Sequence, residues 1–274
     1  AVIESFAPQL LRATLDATGR GYLGQIHQAA SLTRLQSTLA GPNALGLFLI
    51  ISLLLWPIWS KAVSRSLAIG SGVLGITAML LTFSRSSYLG VFAGAIALLI
   101  AGRTLLGGYT KPLIAGLLMA IVLVGGLYFL QPQALTRDNS NAVRLEQYQR
   151  LWNDKEQIGF WGRGAGAAGL VSVNRLDGGP NFYTENSYLD AYEAVGLLAA
   201  LAYLGFWIFL AWSLLRTQNA TAIAVGAAVL GLAVAGMFIN HYTGQAAVWL
   251  VLLFAGMALE KEDRTKEKSI YPDY

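Results

Sequence analysis

Residues 44–59 read ALGLFLIISLLLWPIW, an uncharged run of sixteen positions. A helix needs roughly 20 residues to cross a hydrocarbon core about 30 Å thick, so this run with its uncharged neighbours predicts a membrane span. Similar runs recur outward from it at Ser66–Phe83, Tyr88–Ala101, Pro112–Leu130, Tyr188–Leu215, Ala220–Ile239 and Ala246–Leu259. That makes seven expected crossings, with the short runs at Tyr88 and Ala246 alternatively re-entrant or buried segments. The composition agrees: of 274 residues 55% are hydrophobic and only 12% charged, against about 25% charged in an ordinary soluble domain. So few charges cannot cover a water-facing globule, which excludes a soluble enzyme, a disordered chain and a coiled coil.

The expected fold is therefore all-α and polytopic. Its divisions are an extracytoplasmic segment (1–43), four spans (44–130), a large extracytoplasmic loop (131–187), three spans (188–259) and a cytoplasmic tail (260–274). Orientation follows from the Lys and Arg of the short connections, which collect on the cytoplasmic side. Lys61, Arg65, Arg103, Lys111, Arg216 and the tail with Lys261, Arg264, Lys266 and Lys268 form one set. The opposite set places Arg85 and His241 outside, together with the long loop. Such a loop is too long for a mere connector. The first forty residues show no signal-peptide pattern, and the chain begins with Ala1; it reads as the later part of a longer protein.

Chemistry is bounded next. Without cysteine there are no disulfides, no thiolate catalysis and no Cys-ligated metal, and two isolated histidines do not make a metal site. Neither a metal nor a cofactor is expected, and no nucleic acid. Of six lysines only Lys155 falls outside in this topology, whereas nine of thirteen arginines do: Arg12, Arg20, Arg34, Arg85, Arg137, Arg144, Arg150, Arg163 and Arg175. Positive charge alone suffices for orientation, but phosphate recognition favours the guanidinium fork. The bias points to an anionic ligand at the outer face; solvated loop charge, balanced by six loop acids, is the alternative.

Four local patterns carry a resemblance. Arg34-Leu35-Gln36-Ser37-Thr38 leads to Gly41-Pro42-Asn43 at a helix start, and Leu81-Thr82-Phe83-Ser84-Arg85-Ser86-Ser87 makes a Ser-Arg turn between two runs. Gly162-Arg163-Gly164-Ala165-Gly166 lies in the long loop. Glu185-Asn186-Ser187-Tyr188-Leu189 then leads to Glu193-Ala194-Val195-Gly196-Leu197 where the loop re-enters the membrane. In this order the motifs resemble the O-antigen ligase and O-antigen polymerase superfamily over about residues 34–259, with Glu185 standing where the family usually has histidine. The resemblance implies a metal-independent glycosyltransferase of the bacterial cytoplasmic membrane. It would move a glycan from a polyprenyl diphosphate carrier to an acceptor hydroxyl in cell-surface polysaccharide assembly. Its partners would be the carrier-linked glycan, a glycan or lipid acceptor and membrane lipids, with the active face extracytoplasmic.

On that resemblance Arg34 and Arg85 are assigned to the diphosphate and Glu185 to proton acceptance or acceptor positioning. Asn186, Arg163, Arg150 and His241 are candidate substrate-binding residues. Each has an ordinary alternative: a snorkelling Arg85, a surface Arg34, Glu185 as a first-turn carboxylate beside an Asn186 or Thr184 cap, and a structural interfacial His241. Glu193, expected inside the fifth run, is assigned a structural pairing with an external arginine ahead of catalysis. The literal G-x-G-x-x-G of Gly164 to Gly169 lies in no βαβ unit and is read as loop glycine. Residues 141–157 have helical spacing, with Val143, Tyr148, Leu151 and Trp152 on the expected apolar face. A transporter or channel is the rival function; it calls for two pseudo-repeated halves with interrupted helices, and no convincing repeat is present.

Overall fold

The structure, a computed structural model of the chain, describes residues 28–29, 32–35, 39, 41–102, 138–164, 166–168, 184–241 and 245–270, with 114–116, 118, 122, 124–126 and 128–129. Among these residues it is helical apart from one antiparallel pair of two-residue strands, β1 (Gln28–Ala29) and β2 (Leu32–Thr33). Helix α1 (Pro42–Trp59) opens on a proline in its first turn, where a missing N–H costs nothing, and closes through a short 3₁₀ turn at Ser60–Ala62. It is followed by α2 (Arg65–Leu81) and α3 (Arg85–Ala101). The large loop contributes α4 (Asp138–Asn153) and α5 (Lys155–Ile158). Then come α6 (Ser187–Val195), α7 (Leu197–Leu215), α8 (Ala220–Ala235) and α9 (Gln245–Ile270).

Among the described residues two stretches, Pro42–Ala62 and Leu197–Leu215, are long and apolar enough to cross a bilayer by length and composition; the apolar segments Arg65–Leu81, Arg85–Ala101, Ala220–Ala235 and Ala246–Glu260 are shorter. Ten of the nineteen positions of the expected run at 112–130 are among the described residues, and all ten are helical. The fifth run differs from expectation: it is two helices, not one. Gly196 breaks it with φ 96°, a conformation that disfavours any residue with a side chain. Consequently the apolar span begins at Leu197, and Glu193 stands before it on the nine-residue α6, which is too short to cross.

Helix α8 is the hub. Its Ala, Gly, Val, Ile and Leu side chains are almost all buried, and it packs on α1, α3, α7 and α9. Small residues permit this, because Gly90 and Gly94 of α3 let the two backbones meet. A Cβ on Gly90 would lie 2.6 Å from the Gly231 carbonyl oxygen, and one on Gly94 2.7 Å from that of Ala227. By contrast α7 turns Leu198, Leu201, Ile208, Phe209 and Trp212 outward and buries Ala200, Trp207, Ala211 and Leu214. An outward apolar face of this extent belongs in lipid rather than water.

Helix α4 confirms helical structure in the long loop but not the full expected face. Leu151 is buried and Tyr148 half-buried, whereas Val143 and Trp152 are exposed, Trp152 lying under the Lys155 ammonium at 3.9 Å. The inward stripe is Arg144, Gln147, Tyr148 and Leu151, one turn-to-turn face of a helix.

Candidate functional site

The Ser-Arg turn between α2 and α3 is held from several directions. Phe83 adopts φ 49°, unusual for a residue with a Cβ, and is nevertheless buried. Thr82 donates its hydroxyl to the Met79 carbonyl and accepts the Ser84 N–H, while Ser84 shares its hydroxyl with Ser86 and Ser87 at 3.2 and 2.8 Å. Arg34 packs onto this turn. Its Nε donates to the Thr82 carbonyl at 2.8 Å, one Nη to Asn43 Oδ1 at 2.9 Å, and the adjacent Leu35 N–H to Leu81 O at 2.9 Å. The Arg34 and Asn43 motifs are thus joined to the Ser-Arg motif at one end of the bundle.

Arg85 is the first residue of α3 and lies within electrostatic reach of Arg144 and Glu185. Arg144 reaches from α4 to the re-entry point of the loop. It donates from Nε to Glu185 Oε2 at 2.6 Å and from Nη2 to the Phe238 carbonyl at 3.1 Å. Both members of this ion pair are partly exposed. The arrangement brings two guanidinium groups and one carboxylate to a common place from three separate parts of the chain.

Other expected site residues take different places. Asn186 caps α6: its Oδ1 accepts from the N–H groups of Tyr188 and Leu189, and its Nδ2 donates to the Met237 carbonyl at 2.9 Å. Arg163 lies between two acids, with Nη2 2.9 Å from Asp154 Oδ2 and Nη1 3.3 Å from Glu193 Oε1. Glu193 therefore pairs with an arginine of the long loop, Arg163, the structural pairing expected of it. Arg150, on the exposed side of α4, is within charge reach of Glu193. His241 is buried at the end of the α8–α9 connection. Its Nε2 donates to the Leu232 carbonyl at 2.9 Å, which leaves Nδ1 to accept the Tyr203 hydroxyl at 2.8 Å. Burial holds its pKa below the usual histidine value, so the ring is neutral at pH 7.

Sequence reasoning passed over Arg144 and Asp190. Arg144 was one among nine arginines expected outside, but its spacing from Gln147, Tyr148 and Leu151 marks the inward face of α4. Asp190 belongs to a buried polar stripe on α6 with Ser187 and Glu193 at intervals of three. It accepts the Thr184 N–H at 3.0 Å and the Thr184 hydroxyl, and pairs with Asn240. Ser187 completes the seam, donating to the Ile239 carbonyl and accepting the His241 N–H at 2.7 Å. The start of α6 is thereby bound to the end of α8, which sets the height of Glu185 against Arg144.

Residues 70–204 match the family model described as O-antigen ligase. Over these 135 of its 274 residues the chain is similar to an O-antigen ligase. The matched stretch contains Arg85, Arg144, Arg163, Glu185, Asn186 and Glu193, and leaves Arg34 and His241 on its flanks. The family consists of membrane proteins with glycosyltransferase-type activity in polysaccharide assembly, acting on lipid-linked glycans. Neither a curated protein nor a solved structure matches the chain.

Proposed function

We propose that this protein transfers a glycan from a polyprenyl diphosphate carrier to an acceptor hydroxyl at the outer face of a bacterial cytoplasmic membrane, within a seven-span topology. The observation that carries the reading is the meeting of Arg85, Arg144 and Glu185 from α3, α4 and the α6 entrance. As the glycosidic bond breaks, negative charge grows on the departing diphosphate. Two guanidinium groups already in place stabilise that charge without reorganisation. Arg85 and Arg144 take this role. Arg34, whose fork is engaged with Thr82 and Asn43, fixes the turn from which Arg85 projects. Glu185 receives the proton of the acceptor hydroxyl, after the incoming diphosphate replaces it beside Arg144. A partly exposed ion pair allows that exchange at little cost, since such pairs contribute about 0 to 1 kcal/mol.

The transporter reading is less well supported. A helix break does exist, but it falls at the entrance to α7, not in its middle. Residues 160–164 fill it with backbone: the Leu197 N–H donates to the Phe160 carbonyl at 3.1 Å, and the Arg163 N–H to that of Glu193 at 2.8 Å. An ion path needs such groups facing a cavity. The deciding experiment presents the purified full-length protein in liposomes with a polyprenyl-diphosphate-linked glycan and measures free carrier. Release is expected in the wild type and its loss in Arg85→Lys, because a point charge cannot replace the fork. Full release by Arg85→Lys would remove Arg85 from the diphosphate site.

A further inference from the structure

The carboxylate of Glu193 has no part in that transfer, yet it is the most completely buried acid described. Its Oε1 accepts from Arg163 Nη1, while its Oε2 is shut away from solvent with no hydrogen bond among the described residues. Around it the chain is pressed together. A Cβ on Gly162 would lie 2.6 Å from the Gly196 nitrogen, and one on Gly196 2.2 Å from the Phe160 carbonyl oxygen. The N–H groups of Arg163 and Gly164 donate to the Glu193 and Ala194 carbonyls at 2.8 and 2.9 Å. Arg163 also reaches Asp154 and Gln157, at the point where α4 ends and α5 begins.

The contact therefore grips the far end of the helix that carries Arg144. Ten residues separate Arg144 from Asp154, about 15 Å along a helix, and a helix transmits position over that length. We propose that Glu193 is a positioning residue for Arg144: through Arg163 it latches the end of α4 onto the break at Gly196. The latch is firm while Glu193 is neutral and slackens when Glu193 gives up its proton. This assignment rests on the role of Arg144 proposed above.

The direction follows from solvation. An ionised Glu193 would leave Oε2 as an unsolvated anion in a dry pocket. Facing it are Arg163 from the loop, Arg150 from α4, Asp154 from the α4–α5 junction and Asp190 from its own helix. Burial outweighs the two cations and, with the two acids, pushes the carboxyl up to about 7. An unlatched Glu193 in water would ionise near 4.5, so the latched form holds the proton more tightly. Raising the pH from 6 to 8 should weaken the latch about tenfold.

Hydrogen exchange on the full chain in liposomes, corrected for intrinsic rates, tests this. Protection of the Arg163 and Gly164 amides should fall about tenfold between pH 6 and pH 8, with faster exchange across residues 141–153. Glu193→Gln, a neutral isostere, should stay protected at both values. Equal wild-type protection at the two pH values, a comparison that needs no variant, would overturn the latch. So would a Glu193→Gln variant that loses protection like the wild type. Unchanged exchange across 141–153 would overturn the positioning of Arg144. With polyprenyl diphosphate alone as probe, affinity should fall with pH in the wild type and hold in Glu193→Gln; pH-independent wild-type binding would overturn positioning. If the wild type binds no carrier at either pH, the proposed transfer function fails, and the exchange results still decide the latch.

Discussion

At its entrance, helix α6 sets Glu185 against Arg144 with both side chains partly exposed; at its far end it sets Glu193 against Arg163 with the glutamate removed from solvent altogether. The residue types are the same and the consequences differ. Water beside the first pair screens it, so either member can change partners for a ligand at little cost. In the second, the carboxyl lies in a dry site with closely fitted backbone around it, so no water stands ready to replace Arg163 as its partner. One helix thus presents a reactive end and a structural end. The lesson is that charge identity says little about role until burial is known.

Breaking the structural end should have the largest effect. Gly196→Ala places a Cβ 2.2 Å from the Phe160 oxygen at a residue with φ 96°, a combination expected to cost roughly 2 to 4 kcal/mol. Thermal unfolding in detergent should show a large loss of stability or failure to accumulate; a variant as stable as the wild type would mean the α6–α7 break is not tightly occupied. At the reactive end, Arg144→Gln should leave unfolding almost unchanged but reduce carrier release by roughly 100-fold. Arg163→Gln should show the reverse balance, a lower melting temperature with a smaller change in turnover per folded molecule. Matching profiles for the two variants would erase the contrast between the ends.

Acidity sharpens the comparison more gently. Burial raises Glu193 to about 7, and raises Asp190 to about 6 in spite of its hydrogen bonds from Thr184 and Asn240. Both bind protons more tightly folded than unfolded, so the stability they contribute is full below about pH 4. It is lost as pH rises, through about 6 for Asp190 and about 7 for Glu193. The melting temperature should therefore fall between pH 5 and pH 8, and Glu193→Gln should flatten the upper part of that fall. The smallest effect belongs to the cap: Asn186→Ala should cost about 1 kcal/mol, measured by unfolding, with transfer retained by the folded fraction. Complete loss of transfer in a stable Asn186→Ala protein would instead give Asn186 a direct part in substrate binding.

Several of these features were legible in the sequence. The runs at 44–59 and 188–215 pointed to helices with lipid-facing surfaces, because a helix satisfies its own polar groups without water, although the second proved apolar enough to cross only from Leu197. The order of the Arg34, Ser-Arg, Gly-Arg-Gly and Glu-Asn motifs pointed to the O-antigen ligases, whose family model matches residues 70–204. Helical spacing determined that α4 exists. What a linear reading left open was which arginine meets which acid. Arg144 reaches Glu185 across 41 positions, Arg163 reaches Glu193 across 30, and Arg34 reaches the Thr82 carbonyl across 48. Such partners are chosen by how helices pack, and here the Gly90 and Gly94 contact with α8 and the Gly162 contact with Gly196 set that packing. Gly196 supplies the local means for a break, and the backbone of residues 160–164, bonded to Glu193, Ala194 and Leu197, occupies it in the folded protein. Local composition fixes which stretches are helical and which solvent they face; the separation of a working ion pair from a buried one exists only after distant segments have excluded water from one of them.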